Sequence, residues 1–373
     1  MPSPALQDGS RRFQMREMHP GLHFVPSACQ HSTTMNQSLI ALALLALAGA
    51  ASAQSNVTVY GKVDLGLVID SGAPAGKSVR ISSGVSGGSR IGFKGTEDLG
   101  DGYKAAFQIE TGYCADSAAG APNFCTGSNQ FMGRQAHGDL SGAFGALSAG
   151  RQYSLGYLNL TTIDPFGTGY AGQVNNIVDA AGVRLNNSVH YTTPVVAGFT
   201  ASGEVAFGET TGNWKAGRVI GGSVNYASGP AYAGFSYYDL ANADGAGSAR
   251  KDYLVGGTYD FGTVKLHALA EKSEGAPTGA IRLDTLDLMA GVTVPLAGGA
   301  LMASVVRHDD RGALDRDANQ WGAAYSYPLS KRTSLYLAYA RIANRNGATF
   351  HAGNATETGT GNKAFNLGAV HNF

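Results

Sequence analysis

Apolar and polar residues alternate with a period of two along most of this chain, and the alternation limits the folds open to it. Val57, Val59 and Leu65 belong to one face of the first such segment, whereas Tyr60 and Asp64 belong to the other. Segments of this kind recur at a length of about ten residues, which suits a tilted β-strand that crosses a bilayer. No apolar run of roughly 18 residues follows position 53, so we expect any membrane span to be a strand.

Connections between the segments alternate between short and long. Short turns are predicted at residues 98–102, 141–145, 194–198, 228–230, 260–263, 295–299 and 328–333. Longer polar loops lie between them, for example 71–79, 114–129, 241–250 and 344–361. Seven short turns and eight long loops predict about 16 antiparallel strands, an even number as in outer-membrane barrels.

A soluble β-sandwich alternates in the same way and is the alternative to a barrel. The water-facing side of a sandwich carries many charges, but only 14% of this chain is charged, against about a quarter in soluble domains. Tyr325 and Tyr327 lie just before a predicted turn, where an interfacial aromatic girdle would place them. A closed barrel also leaves no exposed sheet edge. We therefore predict an all-β fold, a transmembrane antiparallel β-barrel.

One long stretch, residues 154–183, lacks the alternation, and the sequence predicts a loop there without strand or helix. Loops of this length are uncommon inside a compact domain and are usually functional or disordered. Disorder does not fit, because Tyr157, Leu160, Phe166 and other apolar residues would then face water. We expect the stretch to pack against the wall that the strands form.

Residues 35–53 have the features of a secretory signal peptide. A short polar start and the apolar run 39–50 lead to the small-residue exit Ala51-Ser52-Ala53, which is an A-x-A cleavage site. Residues 1–34 are interpreted as an extension from a misassigned start, and a twin-arginine signal in this region is the alternative. The barrel domain is predicted at 54–373.

Composition and motifs exclude several functions. The chain has 27 Lys+Arg and 27 Asp+Glu, so nothing favours nucleic acid as a partner. The sequence contains neither a Gly-x-Ser-x-Gly nucleophile elbow nor a His-Glu-x-x-His motif, and a strand rather than a helix follows the glycine-rich segment 84–92. We therefore expect no enzyme activity and no cofactor.

Two of the three cysteines, Cys114 and Cys125, remain in the exported chain. An even pair in an exported protein predicts a disulfide, and two free thiols are the alternative. Metal ligands of the right kind are missing nearby, so we expect no metal site.

Parity assigns many charged residues to the polar face of the wall. Those placed inward are Lys62, Asp64, Arg90, Lys94, Lys104, Glu110, Arg134 and Arg184. Ordinary solvated side chains are the alternative interpretation. Arg151 shares its parity with Leu147 and Ala149 and points outward, where an arginine facing lipid at mid-membrane would cost about 2–4 kcal/mol. It should lie at a subunit contact or at the membrane interface.

Five short segments, taken together and in order, resemble the trimeric general porins of Gram-negative bacteria, most closely the betaproteobacterial group. They are Ser89-Arg90-Ile91-Gly92-Phe93-Lys94-Gly95, Gly133-Arg134-Gln135-Ala136, Gly150-Arg151-Gln152-Tyr153, Asp164-Pro165-Phe166-Gly167 and Asn186-Asn187-Ser188. The resemblance runs from about residue 54 to the end, where Phe373 is similar to the terminal aromatic by which outer-membrane barrels are recognised for insertion. Asp139 and the loop between the two cysteines depart from the family pattern.

The resemblance implies a homotrimer in the outer membrane, with the third long loop, 154–183, folded into the barrel lumen. It implies a pore constriction formed by Arg90, Arg134 and Arg184, with Asp164 opposite them. Inward parity adds Lys94 and Glu110 to the predicted constriction. Arg151 would meet a neighbouring subunit, reached by the second long loop.

The function expected from these observations is a passive, water-filled channel for small hydrophilic solutes and ions. The inward basic excess near the constriction predicts a weak preference for anions. Outer-membrane lipid and lipopolysaccharide would surround it. The alternative is a plugged barrel that acts as an adhesin or a surface-binding structural protein through its long loops.

Overall fold

The computed structural model describes residues 56–117, 131–180 and 182–373. The proposed extension and signal peptide, 1–34 and 35–53, lie outside these ranges. The strands are β1 (Asn56–Ala73), β2 (Gly76–Ser83), β3 (Arg90–Gly100), β4 (Tyr103–Gly112), β5 (Gln135–Gly142), β6 (Gly145–Tyr153), β7 (Arg184–Thr192), β8 (Phe199–Ala206), β9 (Val219–Ser228), β10 (Ala231–Ala241), β11 (Ser248–Asp260), β12 (Lys265–Gly275), β13 (Leu283–Leu296), β14 (Gly299–Asp310), β15 (Ala318–Pro328), β16 (Thr333–Asn344) and β17 (Lys363–Asn372). An α-helix, α1 (Leu155–Ile163), and a short 3-10 helix (Val174–Asn176) lie between β6 and β7.

The sheet closes on itself. From β3 onward, each strand pairs antiparallel with the next, and β1 pairs with the last strand, β17, from Lys62↔Asn372 to Ser71↔Lys363. Closure leaves no unpaired edge in the described sheet, which confirms the predicted antiparallel barrel.

Strands β2 and β3 are two pieces of one barrel strand. β2 pairs with the second half of β1, and β3 pairs with its first half. Residues 84–89 leave the ladder between them because the Asp64 carboxylate accepts the backbone N–H groups of Ser86, at 2.7 Å, and Gly87, at 2.9 Å. Seventeen hydrogen-bonded segments in the described part of the chain therefore make a barrel of 16 strands, the predicted number.

Short turns join the strands at one end, and longer loops join them at the other. One connection is much shorter than its sequence indicates, because β1 continues to Ala73 and β2 begins at Gly76. The prediction of a long polar loop at 71–79 was wrong, since this region forms a tight hairpin at the long-loop end.

The pattern of exposure is the reverse of that in a water-soluble protein. Large apolar side chains such as Val57, Ile81 and Val305 are 57%, 55% and 57% exposed. Polar side chains such as Glu110 and Asp252 are 4% and 2% exposed on the other face. Soluble proteins bury most of their large aliphatic residues and keep most charged residues exposed. This wall therefore presents an apolar outer face and a polar inner face, as a membrane barrel does.

Aromatic residues mark the short-turn end of the outer face. Phe199 packs against Tyr226 with ring centroids 4.7 Å apart, and Tyr259 packs against Phe261 at 4.5 Å. These rings lie where the strands meet the turns, as in an interfacial girdle. No helix in the described residues is both long and apolar enough to cross a membrane.

The largest apolar cluster joins the stretch 154–183 to the buried faces of the later strands. The stretch contributes Leu160, Ile163, Phe166, Val174 and Val178, and the strands contribute Leu254, Leu269, Met289, Val306 and Ile342. The inner face of the wall is apolar at these positions because the apolar side chains of the stretch cover it there.

Candidate functional site

Helix α1 begins where the chain leaves β6. Ser154 is its N-cap, and the Ser154 hydroxyl accepts the backbone N–H of Tyr157 at 3.2 Å. From the wall, the Glu204 carboxylate accepts the N–H of Leu155 at 3.0 Å. The helix ends at Ile163, just before Pro165, whose ring and missing N–H oppose its continuation.

The prediction of no helix in the stretch 154–183 was wrong. The sequence of α1 is apolar on nearly every side, so it has no polar stripe with a 3.6-residue period. The wall contributes the second burial surface, which the sequence pattern alone could not reveal. Helix α1 lies against strands β9 to β12.

Hydrogen bonds join this stretch to successive strands. The Tyr232 hydroxyl donates to Asn159 Oδ1 at 2.7 Å, and His267 Nδ1 lies 2.7 Å from the Ile163 carbonyl oxygen. Gln320 Nε2 donates to the Gly172 carbonyl at 2.9 Å. The stretch therefore crosses the buried faces of strands from β10 to β15.

Asp164, a predicted constriction residue, is used within the stretch itself. Its side chain is buried, and its carboxylate accepts the backbone N–H groups of Phe166, Thr168 and Val174 at 3.3, 2.9 and 3.3 Å. Burial raises the pKa of Asp164 to about 7, although these N–H groups lower it in part. The carboxylate braces the turn after α1, and Asp164 is not among the residues that line the cavity described next.

A cavity of about 670 Å³ lies between this stretch and the wall. Four cationic side chains line it: Lys62, Arg90, Arg134 and Arg184. The excursion at 84–89 contributes Ser86, Gly87 and Gly88 to the same lining. The cations come from β1, β3, β7 and the residue before β5, so the antiparallel pairing of successive strands brings together positions that are far apart in the chain.

Glu110 organises two of these cations. Its carboxylate accepts from Arg134 Nε at 2.7 Å, lies 3.5 Å from Arg90 Nε and also accepts the Tyr60 hydroxyl at 3.0 Å. Glu110 is 4% exposed, so its charge is compensated within the wall rather than by water.

Tyr153 connects Arg134 to Arg184. Its hydroxyl accepts from Arg134 Nη2 and from Arg184 Nη2, each at 2.9 Å, and the Arg184 guanidinium lies 4.5 Å from its ring centroid. In the sequence, Tyr153 is recognisable only as part of a family motif. Its contacts depend on an irregular register between β6 and β7 after Gly150, which parity along a single strand cannot predict.

Two acidic residues also line the cavity. Asp179, from the end of the stretch 154–183, lines the cavity with its side chain 61% exposed and accepts from Arg250 Nη1 at 2.6 Å. Glu357 also lines it and accepts from Arg80 Nη2 at 2.9 Å. The cavity lining therefore combines four basic residues with two acidic ones. Neither acidic residue was predicted from the sequence.

Arg250 fixes the end of the stretch to the wall. Besides Asp179, it contacts Asp252 at 2.7 Å and Glu271 at 3.3 Å. Glu271 also accepts the N–H of Ala180 at 3.3 Å. Asp179 is thus held at the cavity by a charged network on strands β11 and β12.

The remaining predicted residues lie elsewhere. Lys94 is four positions from Arg90 on β3, about 13 Å nearer the short-turn end, and packs over Tyr60 with its Nζ 5.4 Å from the ring centroid. Lys94 is not among the residues that line the cavity. Arg151 Nε donates to the Gly133 carbonyl at 2.6 Å, and its Nη1 donates to Asn186 Oδ1. These contacts place Arg151 at the base of the second long loop.

The predicted disulfide falls partly outside the described residues. Cys114 is disulfide-bonded, but Cys125 lies in the part of the chain that the structure does not describe. The pairing of Cys114 with Cys125 therefore stays a prediction.

Comparisons with known proteins agree with this geometry. A family model described as Gram-negative porin matches residues 38–347. The chain is 35% identical to "Outer membrane porin protein 32" of Delftia acidovorans over 84% of this chain and 92% of that protein. It is 31% identical to an outer membrane porin protein of Bordetella pertussis over 88% of this chain and 99% of that protein. Among solved structures, "Anion-selective porin from Comamonas acidovorans" superposes with a TM-score of 0.73 at 28% identity, covering 86% of this chain and 100% of that one.

Proposed function

Because the chain belongs to the Gram-negative porin family, we propose that this cavity, lined by basic and acidic residues, is the narrowest part of its diffusion channel. Porins of this family are outer-membrane channels. In this proposal, small hydrophilic solutes and ions diffuse passively through this chain's channel. The observation that carries the proposal is a closed 16-stranded wall that is apolar outside and polar inside. A barrel of about this size is wide enough to leave an aqueous channel.

The stretch 154–183 is the element that narrows the channel. It lies in the lumen, packed on the inner wall, and this placement is supported by its hydrogen bonds to inward-facing Tyr232, His267 and Gln320. Thr161 and Asp179 from the stretch share the cavity lining with Arg134. Solutes then pass between this stretch and the wall that carries the basic residues.

The charges at the cavity favour anions weakly. Lys62, Arg90, Arg134 and Arg184 exceed the acidic groups Asp179 and Glu357 that line it, and Glu110 is already paired behind the lining. A channel lined by an excess of one sign concentrates ions of the opposite sign. The Comamonas acidovorans porin, which is 28% identical, is described as anion-selective, and this supports the same sign here. In this proposal Asp179 takes the place opposite the cations that the sequence analysis gave to Asp164.

Liposome swelling with uncharged sugars of increasing size tests the channel. We expect fast swelling with pentoses and hexoses and a sharp fall for larger oligosaccharides, because the constriction excludes solutes by size. Swelling no faster than that of protein-free liposomes would contradict a diffusion channel and favour the plugged, adhesive barrel.

The chain assembles as a homotrimer in this proposal, and Arg151 supports the subunit contact. Arg151 faces outward on β6 and ties the Gly133 carbonyl and Asn186 to the strand, so it positions the base of the second long loop, which would reach the neighbouring subunit. We expect Arg151→Ala to lower the temperature at which the trimer dissociates on semi-native gels, while the monomer barrel stays folded. A trimer of unchanged heat stability would place the contact elsewhere.

The remaining partners follow from the location. The apolar outer face is in contact with outer-membrane lipid and lipopolysaccharide, and the lumen is in contact with the diffusing solutes. No reaction is catalysed in this proposal, and nucleic acid is not a partner.

A further inference from the structure

A groove runs along the outer face of the barrel where β13, β14 and β15 meet, near the long-loop end. Its upper part has a volume of about 610 Å³ and includes Leu288, Val305 and Trp321 in its lining. These three side chains are 44%, 57% and 47% exposed. The groove therefore offers an apolar concave surface on the side of the wall that faces lipid.

The groove continues toward the middle of the membrane. A second cavity of about 440 Å³ shares Ala290, Val305 and Trp321 with the first and adds Ala303 and Ala323. Small side chains at these outward positions make the surface recede beside the Trp321 ring, which packs against Tyr339 at 5.3 Å between centroids. The receding surface forms a shallow apolar slot beside the Trp321 ring.

Two arginines stand at the long-loop end of this slot. Arg307 pairs in register with Leu288 and Asn319, and Arg341 pairs with Trp321 and Lys363. Arg307 and Arg341 lie two strands apart, about 10 Å across the sheet, and are offset by about 7 Å along it. Their side chains are long enough to reach one group above Asn319.

These cations are poorly neutralised. Within the described parts of the chain, Arg307 has Asp309 as its one acidic partner, at 3.7 Å, and Asp309 is shared with Arg311 at 2.9 Å. No acidic side chain in the described residues forms an ion pair with Arg341 or Lys363. The patch therefore keeps a net positive charge beside an apolar slot.

We propose that this groove is a binding site for lipopolysaccharide, with a lipid A phosphate held between Arg307 and Arg341 and an acyl chain lying in the slot against Trp321. Planar guanidinium groups bind phosphate through paired N–H donors, and the alkyl chain covers exposed apolar surface. The inference rests on the proposed function, because an outer-membrane porin places its long-loop end at the outer leaflet. Phosphate and alkyl chain occur together in the lipid of that leaflet.

Tryptophan fluorescence gives a direct readout. The chain has two tryptophans, so in a Trp214→Phe background the signal comes from Trp321 in the groove. The purified porin in detergent is titrated with bisphosphorylated lipid A, with dephosphorylated lipid A and with inorganic phosphate. The same proteins are tested for conductance in planar bilayers.

Arg307→Gln combined with Arg341→Gln is the main variant. We expect it to weaken bisphosphorylated lipid A binding at least tenfold, since two charge-assisted contacts are lost. Lys251→Gln combined with Lys272→Gln is the matched control, because it removes two cations on β11 and β12 at the same end and should change affinity less than twofold. Ala303→Phe fills the slot and should weaken binding while both arginines remain.

Each outcome decides the proposal. Affinity for lipid A that is the same in the double arginine variant and the control, or equal affinity for phosphorylated and dephosphorylated lipid A, would overturn it. Displacement of lipid A by millimolar inorganic phosphate alone would show a simple anion site and would also overturn it. Conductance should be unchanged in all variants, so failure of this site leaves the channel standing, whereas a silent parent protein would refute the channel.

Discussion

At the scale of single residues, the cavity depends on which charges are compensated inside the wall and which face the water. Glu110 and Arg134 form a buried pair, whereas Arg184 has no carboxylate partner among the described residues and contacts the Arg134 carbonyl at 2.7 Å and the Tyr153 hydroxyl at 2.9 Å. The two arginines should therefore contribute unequally to stability.

Arg134→Gln should destabilise the barrel much more than Arg184→Gln does. Loss of Arg134 leaves Glu110 buried with Arg90 as its remaining cation at 3.5 Å, and breaking a buried pair costs about 3–5 kcal/mol. Arg184→Gln should cost about 1 kcal/mol. Thermal unfolding in detergent measures the difference, and equal losses of stability would show that the buried pair is not the cause.

Asp179 and Asp164 offer a second matched pair. Asp179→Asn removes a negative charge that faces the cavity, so the preference for anions should increase. Asp164→Asn should leave selectivity nearly unchanged, because that carboxylate is enclosed by backbone N–H groups. Reversal potentials of the two variants in a salt gradient measure this, and the opposite order would restore Asp164 to the constriction.

The raised pKa of Asp164 predicts a pH effect on the turn after α1. Its pKa is about 7 in the folded protein, against an ordinary value of 3.8. Burial therefore favours the protonated form, and the stabilisation is complete below pH 3.8 and lost as the pH rises through about 7. Hydrogen exchange of the amides at 166–174, corrected for intrinsic rates, should show more protection at pH 5 than at pH 8. Asp164→Asn should remove the difference, and persistence of the difference in that variant would assign it to another group.

At the scale of elements, alternation was sufficient to locate the strands but not their interruptions. The break between β2 and β3 depends on the Asp64 carboxylate on a neighbouring strand, which holds Ser86 and Gly87 out of the ladder. Helix α1 was missed for a related reason, since its apolar residues are buried by a wall that is distant in sequence. Tertiary contacts determine both the strand break and the helix, and the local sequence pattern does not indicate either of them.

Close packing of the stretch 154–183 on the wall leads to a test at Gly322. A Cβ there would lie 2.6 Å from the Gly172 Cα, so Gly322→Val should push the stretch away from β15. We expect a folded barrel with noisier open-channel current and altered conductance. Gly203→Val is the control, because no atom of the described residues lies within 4 Å of its Cβ position. Quiet, unchanged current in Gly322→Val would show that the stretch does not control the channel.

At the scale of the whole molecule, strand number, closure and the inward parity of Arg90 and Arg184 followed from the sequence, because a period of two fixes which side each residue faces. The acidic residues of the cavity lining did not follow from it. Asp179 and Glu357 lie on connections between strands, where parity has no meaning, and Lys94 shares the parity of Arg90 but lies about 13 Å away along the strand. Parity predicts which face of the wall a side chain lies on. The height of a residue in the channel and the path of a loop can be read only from the assembled barrel.

The most direct test of the central claim is the reversal potential of the purified protein in a planar bilayer under a KCl gradient. A basic excess at the constriction of an open channel predicts stepwise conductance with a zero-current potential displaced toward the chloride equilibrium potential. A reversal potential of zero, or a reversal potential displaced toward the potassium equilibrium potential, would contradict the charge assignment. A folded protein that shows no conductance would contradict the channel itself.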